Sequence, residues 1–282
     1  MNKLTTAKRV AVVAALVEGN SIRSTVRMTD VSKPTILKLL ADLGRACAKF
    51  QGETITGVRA RRVQVDEIWQ FVYAKAKNVP EKKRGTFGYG DVWTWIAIDA
   101  DSKMILTWRI GPRDAATAYD LMHDLARRVK SRIQLTTDGF KVYLEAVESA
   151  FNLDIDYAML SKVYGVDPEA ERRYSPPIVL STTTEVITGD PNPKHISTSY
   201  VERQNLTMRM SMRRFTRLTN GFSKKLDNHA ASVALHYMHY NFARVHQTLR
   251  VTPAMQAGLA SHVWSIEEIV SLLDRAESAT AA

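Results

Sequence analysis

The chain has 282 residues, of which 45% are hydrophobic, so it is long and apolar enough for one large domain plus a small one, and wholesale disorder is excluded. Lys and Arg total 39 against 29 Asp and Glu, and the formal net charge of +10 favours a polyanionic partner such as DNA or RNA. The single cysteine, Cys47, excludes an internal disulfide framework, and no apolar run reaches the ~20 residues that span a bilayer, so we expect a cytoplasmic protein with no membrane partner.

The first 55 residues predict three helices whose spacing is typical of DNA binding. We expect helices over 8–17, from Ser21 as a cap to 28, and from Ser32 as a cap to about 50. Two short helices joined by a tight turn match a helix-turn-helix, whose second helix enters the major groove of DNA. The residues expected to face DNA are Lys33, Thr35 and Lys38, with Arg23 and Arg27 for phosphates. The alternative is a plain three-helix bundle used for packing or dimerisation.

From residue 61 the pattern changes to that of a mixed α/β domain. Strands are predicted over 61–73, 91–100, 104–110 and 133–137, and helices over 113–130, 141–151, 199–214, 226–244 and 265–277. The stretch 152–197 is expected to be irregular apart from one strand over 154–163. The order of strand, hairpin, helix, strand and helix describes a mixed sheet with helices packed on it. The expected domains are 1–55, 61–250 and a helical C-terminal extension over 251–282.

Three acidic residues occupy positions that suit metal-ion chemistry. Asp66 follows a strand-like alternation, Asp138 ends a short strand before a glycine, and Glu202 lies early on a helix. Singly, each has an ordinary role as a turn former or a solvated partner of arginine. Together they are suited to hold two divalent ions for phosphoryl transfer, because a few carboxylates suffice for hard ions such as Mg²⁺. Asn205 and Arg209 share a helix face with Glu202. In these positions we expect them to contact phosphate next to the metal ligand.

Five segments together resemble those of a known family. They are Gly19-Asn-Ser-Ile-Arg23 with Val31-Ser-Lys-Pro-Thr35, Val65-Asp-Glu-Ile-Trp69, Thr137-Asp-Gly-Phe140 with Tyr143, Val201-Glu-Arg-Gln-Asn205, and Tyr240-Asn-Phe-Ala-Arg-Val-His246. Through them the whole chain resembles a DDE transposase of a bacterial insertion sequence, of the insertion sequence 1 family type. The resemblance implies an α/β fold with an RNase H-like mixed sheet and flanking helices, preceded by the all-α helix-turn-helix domain.

By this resemblance Asp66, Asp138 and Glu202 are the catalytic triad and bind two Mg²⁺ or Mn²⁺ ions. Arg209 is implied to contact the end of the mobile element. Around it, the further residues expected to contact DNA are Asn205, Arg203, Arg213 and Arg214. The implied substrates are double-stranded DNA carrying terminal inverted repeats and target DNA, which a homodimer or higher oligomer joins at the bacterial nucleoid. Longer members of the family resemble this chain but have a Cys-rich zinc finger ahead of the helix-turn-helix. We therefore expect recognition of the DNA ends by this chain to rest on the helix-turn-helix.

Two other functions remain compatible with these residues. One is an RNase H-like nuclease, and the other is a non-catalytic helix-turn-helix regulator or inactive transposase remnant in which the acids are incidental. Glu67 is expected to point to the opposite side of its strand from Asp66 and to be structural. The histidines of one helix, His229, His236 and His239, with His246 just after it, are expected to pack in the core rather than to bind zinc.

Overall fold

A mixed sheet organises the computed structural model, which describes residues 4–165, 178–216 and 219–281. Within these residues the sheet has six strands in the order β3-β2-β1-β4-β5-β6. Their bounds are β1 Arg62–Val72, β2 Gly90–Asp99, β3 Ile105–Gly111, β4 Gln134–Asp138, β5 Asp156–Gly165 and β6 Ile178–Thr188. β4 runs parallel to β1 and to β5, whereas the other neighbouring strands are antiparallel. β1 therefore lies in the middle of the sheet.

Helices cover both faces of this sheet. They are α1 Thr6–Val17, α2 Ile22–Thr29, α3 Lys33–Thr54, α4 Ala115–Arg128, α5 Val142–Phe151, α6 Ser199–Ser211, α7 Leu226–Met238, α8 Pro253–Gln256 and α9 Ile266–Ala281. On one face, Leu121 of α4 and Tyr143 of α5 are buried with Val65 of β1. On the other, Val201 of α6 and α7 pack around Ile68 of β1. The predicted mixed α/β sheet with flanking helices is confirmed, in the predicted order of strand, hairpin, helix, strand and helix.

The stretch predicted to be irregular contains β6, a strand that the sequence pattern missed. β6 pairs antiparallel with β5 at the edge of the sheet. Almost all of its residues are exposed, and Ser181, Thr182, Thr183 and Thr184 follow one another without an apolar residue between them. A strand with no buried face shows no alternation of apolar and polar residues, so the usual strand signal is absent. Residues 166–177 of this stretch lie outside the described residues. α6 also ends earlier than predicted, at Ser211.

The N-terminal helices form where the sequence predicts them. The Ser21 hydroxyl accepts a hydrogen bond from the Ser24 N–H at 3.0 Å and so caps α2. Asp30, with φ of 55°, takes the left-handed conformation that ends α2. Ser32 then precedes α3. The two helices and their turn lie at the predicted positions in the sequence, and a helix-turn-helix DNA-binding domain stays a prediction.

α3 packs closely against α7 and is tied to the rest of the chain at its C-terminal end. The side-chain amide of Gln51 donates to the Ala234 carbonyl of α7 at 3.1 Å. Arg128 of α4 donates to the Ile55 carbonyl at 2.9 Å. Residues of α1, α3, α7 and α9 are buried in the same apolar cluster as residues of the sheet. The predicted domain boundaries stay predictions, because this shared core shows no break at which to place them.

Among the described residues, no helix is both long and apolar enough to cross a membrane.

Two glycines of α3 make a matched test of the α3–α7 crossing. A Cβ built at Gly44 would overlap the backbone of Ala231 and lie 2.6 Å from its carbonyl oxygen, whereas one built at Gly52 meets nothing within 4 Å. We expect Gly44→Ala to lower the free energy of unfolding by about 1–3 kcal/mol, because the helices must move apart. Gly52→Ala should raise it by up to about 1 kcal/mol through helix propensity. Chemical denaturation measures both, and the same sign for the two variants would contradict the close crossing.

Candidate metal centre

Successive residues of β1 face two different layers of helices, and the site includes residues from both sides of this strand. Ile68 is buried in the cluster that contains Val201 of α6, whereas Val65 is buried in the cluster on the opposite face. Gln64 faces α6, because its side-chain oxygen accepts hydrogen bonds from the backbone N–H groups of Tyr200 and Val201 at 2.8 and 3.1 Å. Since side chains alternate along a strand, Asp66 lies on the α6 face between Gln64 and Ile68.

Hydrogen bonds fix α6 over Asp66. The bonds to Gln64 satisfy N–H groups in the first turn of the helix, which lack partners within the helix itself. One turn further on, the Asn205 amide donates to Oδ2 of Asp66 at 2.8 Å. Val201 and Met208, on the apolar side of α6, are buried against the sheet. Asn205, which the sequence places on the same helix face as Glu202, therefore contacts the first acid of the predicted triad directly.

Asp138 meets Asp66 at the end of β4. The parallel register pairs Gln64 with Thr136, which precede Asp66 and Asp138 by two residues each, and one carboxylate oxygen of each acid lies within 4.8 Å of the other. Asp138 Oδ1 accepts a hydrogen bond from the Phe140 N–H at 3.0 Å, which holds the carboxyl group at the turn. A Cβ at Gly139 would meet the Ser161 hydroxyl of β5, so β5 packs closely on the turn that follows Asp138.

Glu67 joins these two acids from the other face of β1. It accepts hydrogen bonds from Arg113 Nε at 2.6 Å and from the Tyr143 hydroxyl at 2.8 Å, as expected for a side chain that points away from α6. β4, the neighbour of β1 on this side of the sheet, ends at Asp138. In the described part of the chain, one carboxylate oxygen each of Asp66, Glu67 and Asp138 lies within 4.8 Å of the other two. The structural role expected for Glu67 stays a prediction.

Glu202 lies beside this group without being part of it. Its charge contributes to raising the pKa of Asp66, which places it near that residue. Its carboxylate forms an ion pair with Lys162 of β5 and accepts a hydrogen bond from the Thr198 hydroxyl at 2.7 Å. The structure therefore brings Asp66 and Asp138 together as predicted, with Glu67 added, and holds Glu202 nearby in an ion pair.

Burial and mutual repulsion disfavour the charged forms of these carboxyl groups. Burial, followed by the charge of Glu67, raises the pKa of Asp66 to about 7, and Asp138 and Glu202 add to the shift. Burial also raises the pKa of Glu67 and of Asp138, and in both cases the guanidinium of Arg113 opposes the shift. A divalent cation would remove this repulsion, and closely spaced carboxylate oxygens are the ligands that Mg²⁺ and Mn²⁺ prefer. The donor set therefore fits a hard metal ion.

Some of the predicted DNA-contacting residues line the same groove. Arg23 of α2 and Lys33 of α3 line it together with Arg213 and Arg214, which follow α6. They are separated by about 190 residues in sequence, and packing of α3 on α7 brings them together. Contact with DNA by these residues stays a prediction.

Other residues of the predicted helix-turn-helix surface interact within their own helices. Lys38 forms an ion pair with Asp42 at 2.5 Å, and the Thr35 hydroxyl lies 2.8 Å from that of Ser32. Arg27 is exposed at the end of α2. These residues do not line the groove.

The basic residues of α6 lie in different surroundings. Arg203 is exposed, whereas Arg209 is half-buried and lines a second pocket with Trp69 and Gln70 of β1. Gln70 follows Asp66 by four residues on the same face of β1. Arg209 therefore lies near the part of β1 that follows Asp66, in keeping with its expected position next to the site.

Arg113, Tyr143 and Lys162 are site residues to which the sequence assigns no role. Arg113 stacks on Phe140 at 3.9 Å from the ring centre while it donates to Glu67. Lys162 lies two residues beyond Leu160, which pairs with Asp138 across β4 and β5. Tyr143 belongs to one of the five resembling segments, but its bond to Glu67 spans 76 residues. Local sequence contains no signal for such contacts.

The raised pKa of Asp66 predicts how stability depends on pH. Because the folded chain holds this proton more tightly than the unfolded one, Asp66 contributes no penalty below its ordinary pKa of 3.8 and an increasing penalty as the pH rises to about 7. We expect Asp66→Asn to raise the melting temperature by a few degrees at pH 8 in EDTA and to change it little at pH 4. Asp120→Asn, at an exposed position of α4, is the control. An equal effect of Asp66→Asn at both pH values would contradict the pKa assignment.

No protein-family model and no curated protein matches the chain. Among solved structures it is similar to a Mos1 transposase paired-end complex with left transposon end, at 11% identity and a TM-score of 0.25, over 56% of this chain and 60% of that one. It is also similar to a piggyBac transposase synaptic complex with hairpin DNA (12% identity, TM-score 0.37, 98% and 73% coverage). A pre-cleavage Mos1 transpososome matches at 9% identity and a TM-score of 0.28, with 100% and 80% coverage. The chain spans about 60% of the length of the first Mos1 chain, and likeness at such TM-scores carries no argument about its fold or activity.

Proposed function

We propose that this chain is a metal-dependent DNA transposase of the DDE type with an RNase H-like core. The observation that carries the proposal is the closeness of Asp66 and Asp138, which have carboxylate oxygens within 4.8 Å on adjacent parallel strands, under a helix that Asn205 fixes to Asp66. The mixed sheet with flanking helices, formed in the predicted order of strand, hairpin, helix, strand and helix, supports it. The net charge of +10 supports a DNA substrate.

The residues proposed to hold two Mg²⁺ or Mn²⁺ ions are Asp66, Asp138 and Glu202, with Glu67 close by. When bound, such ions activate the attacking oxygen and stabilise the leaving oxygen of a phosphodiester. Asn205 orients the carboxylate of Asp66, and Arg113 limits the repulsion between Glu67 and Asp138. Lys162 is a counter-ion for Glu202, and we propose that Glu202 exchanges this partner for metal.

The proposed substrates are double-stranded DNA ends with terminal inverted repeats and a target DNA. Two ends must be joined to one target, so we propose a homodimer or higher oligomer on DNA. Cleavage would leave a 3′-hydroxyl at each end, and that hydroxyl would then attack the target phosphodiester, displacing its 3′ oxygen in line. The first step consumes one water molecule, and neither step needs a covalent bond between protein and DNA.

The proposal is tested by substitution of Asp138. We expect the wild-type chain with Mg²⁺ to nick DNA that carries the ends of its own element and to join them to a plasmid. Asp138→Asn should abolish both reactions and leave DNA binding, measured by gel shift, within about twofold, because it removes one metal ligand and keeps the fold. Asp120→Asn is the matched control at an exposed site of α4 and should react like wild type.

The outcomes separate the alternatives. Cleavage by wild type without any joining would indicate a nuclease, and binding without cleavage in any metal would indicate a regulator. Cleavage that survives Asp138→Asn would show that the proposed triad is wrong.

A pair of Glu→Gln variants decides which glutamate completes the site. If Glu202 is the third ligand, Glu202→Gln abolishes cleavage, while Glu67→Gln mainly changes stability through its bonds to Arg113 and Tyr143. Cleavage rate and melting temperature are measured for both variants over a range of Mn²⁺ concentrations. The reverse result would assign the third ligand to Glu67, which the geometry already places within 4.8 Å of the two aspartates.

A further inference from the structure

A groove with basic walls lies between the N-terminal helices and the segment that joins α6 to α7. Its volume is about 660 Å³. We call it the basic groove and define it by its cationic lining residues, Arg23, Lys33, Arg213, Arg214, Lys224 and Lys225. The first two belong to α2 and α3, and the others to the segment between α6 and α7. The acids of the metal centre do not line it.

The positive charge of the basic groove is not balanced within the described part of the chain. None of the described residues that line the groove is Asp or Glu. None of its six cations forms an ion pair with another described residue, although Arg214 donates to the Ser223 hydroxyl at 2.8 Å and Lys224 lies over the Phe222 ring. Cations gathered without acids repel one another, so the groove is suited to a ligand that carries several negative charges.

The lining also has an apolar part, which includes Leu37, Leu40, Leu235 and Phe222. We call this apolar part the floor of the groove, and the cationic side chains its walls. His236 also lines the groove, and its Nε2 is buried without a hydrogen-bond partner among the described residues. Burial lowers the pKa of His236 to about 3, so its ring is neutral.

The cationic walls and the apolar floor together restrict which class of ligand fits the groove. Phosphates alone would satisfy the walls and leave the floor empty. A paired duplex presents its phosphates outward and keeps its bases stacked inside, so it would contact only the rim. An unpaired strand supplies phosphates for the walls together with a base whose flat apolar face suits the floor and whose edge carries hydrogen-bonding groups.

We propose that the basic groove binds an unpaired strand of DNA, with its phosphates on both walls and a base on the floor. The choice of DNA over RNA rests on the function proposed above. The sequence predicts Arg23 and Lys33 as one DNA contact and Arg213 and Arg214 as another, and here they act as one site. Binding of a strand would join α2 and α3 to the segment that follows α6.

The position of the groove relative to the acids supports this assignment. Arg214, Asn220 and Phe222 line both the groove and the second pocket, so the two are adjacent. The second pocket also contains Gln70, which follows Asp66 on the same face of β1. Four residues of extended strand span roughly 13 Å. A strand that leaves the groove through the second pocket therefore runs towards the metal centre.

The experiment compares three DNA probes of the same sequence. They are a single strand, a blunt duplex and a duplex with an unpaired tail, and binding of the full chain is followed by fluorescence anisotropy in EDTA. We expect the single strand and the tailed duplex to bind at least tenfold more tightly than the blunt duplex. Equal affinity for all three probes would overturn the proposal.

Charge variants locate the binding site. Lys33→Gln with Lys225→Gln removes one cation from each wall, and the expected result is at least tenfold weaker binding of the tailed duplex. The slope of log affinity against log salt should become shallower by about 0.7 for each phosphate that the variant no longer neutralises. Arg59→Gln with Lys130→Gln is the matched control, because these exposed cations line a separate basic pocket. If the two double variants bind alike, the groove is not the site.

A variant of the floor separates the base from the phosphates. Leu37→Gln makes part of the floor polar without changing charge, and it should abolish the preference for the tailed duplex while affinity for the blunt duplex and the melting temperature stay the same. A preserved preference would show that no base enters the groove. All these binding measurements are made without metal ions. A result that contradicts the groove proposal can therefore be told apart from a loss of the Mg²⁺-dependent cleavage that tests the proposed function.

Discussion

The constraint on which the site depends is electrostatic: carboxyl groups are gathered at one point of a buried strand. Burial and proximity both penalise their charged forms, and the raised pKa of Asp66 is the clearest sign of that penalty. The surrounding side chains reduce it in different ways. Asn205 donates to Asp66, Tyr143 donates to Glu67, and Lys162 pairs with Glu202. Each of these partners comes from a different element, so the sheet and the helices on both faces must be in place before the acids can coexist.

α6 connects this constraint to the basic groove. Its first turn is fixed to the sheet by Gln64, next to the acids, and its last residue, Ser211, lines the groove. Negative charge is thus gathered at one end of the helix, and Arg213 carries positive charge just beyond the other end. Such a separation suits a polyanion whose backbone is held by cations at one place while a phosphodiester is presented to metal ligands at another.

Much of the fold and part of the site can be predicted from the sequence, since both are signalled locally. Asp138 stands directly before a glycine at a strand end, and Asp66 stands within an apolar alternation, so the elements that carry them are predicted correctly. β6 has no buried face and shows no such pattern. The closeness of Glu67 to Asp66 and Asp138 depends on where β4 ends. The ion pair of Lys162 with Glu202 joins residues 40 positions apart. Contacts of this kind depend on tertiary structure, and no local signal encodes them.

The length of α3 has a mechanical consequence. Its 22 residues make a rod of roughly 33 Å. The rod begins beside the basic groove, and its far end is held by Gln51 and by the bond from Arg128. The turn between α1 and α2 is also close to the end of α6, since a Cβ at Gly19 would lie 2.9 Å from the Ser211 carbonyl oxygen. Because the C-terminal end of α3 is held by α7 and α4, Lys33 reaches the basic groove from a fixed helix, and the position of this cation is set by the protein and not by the ligand.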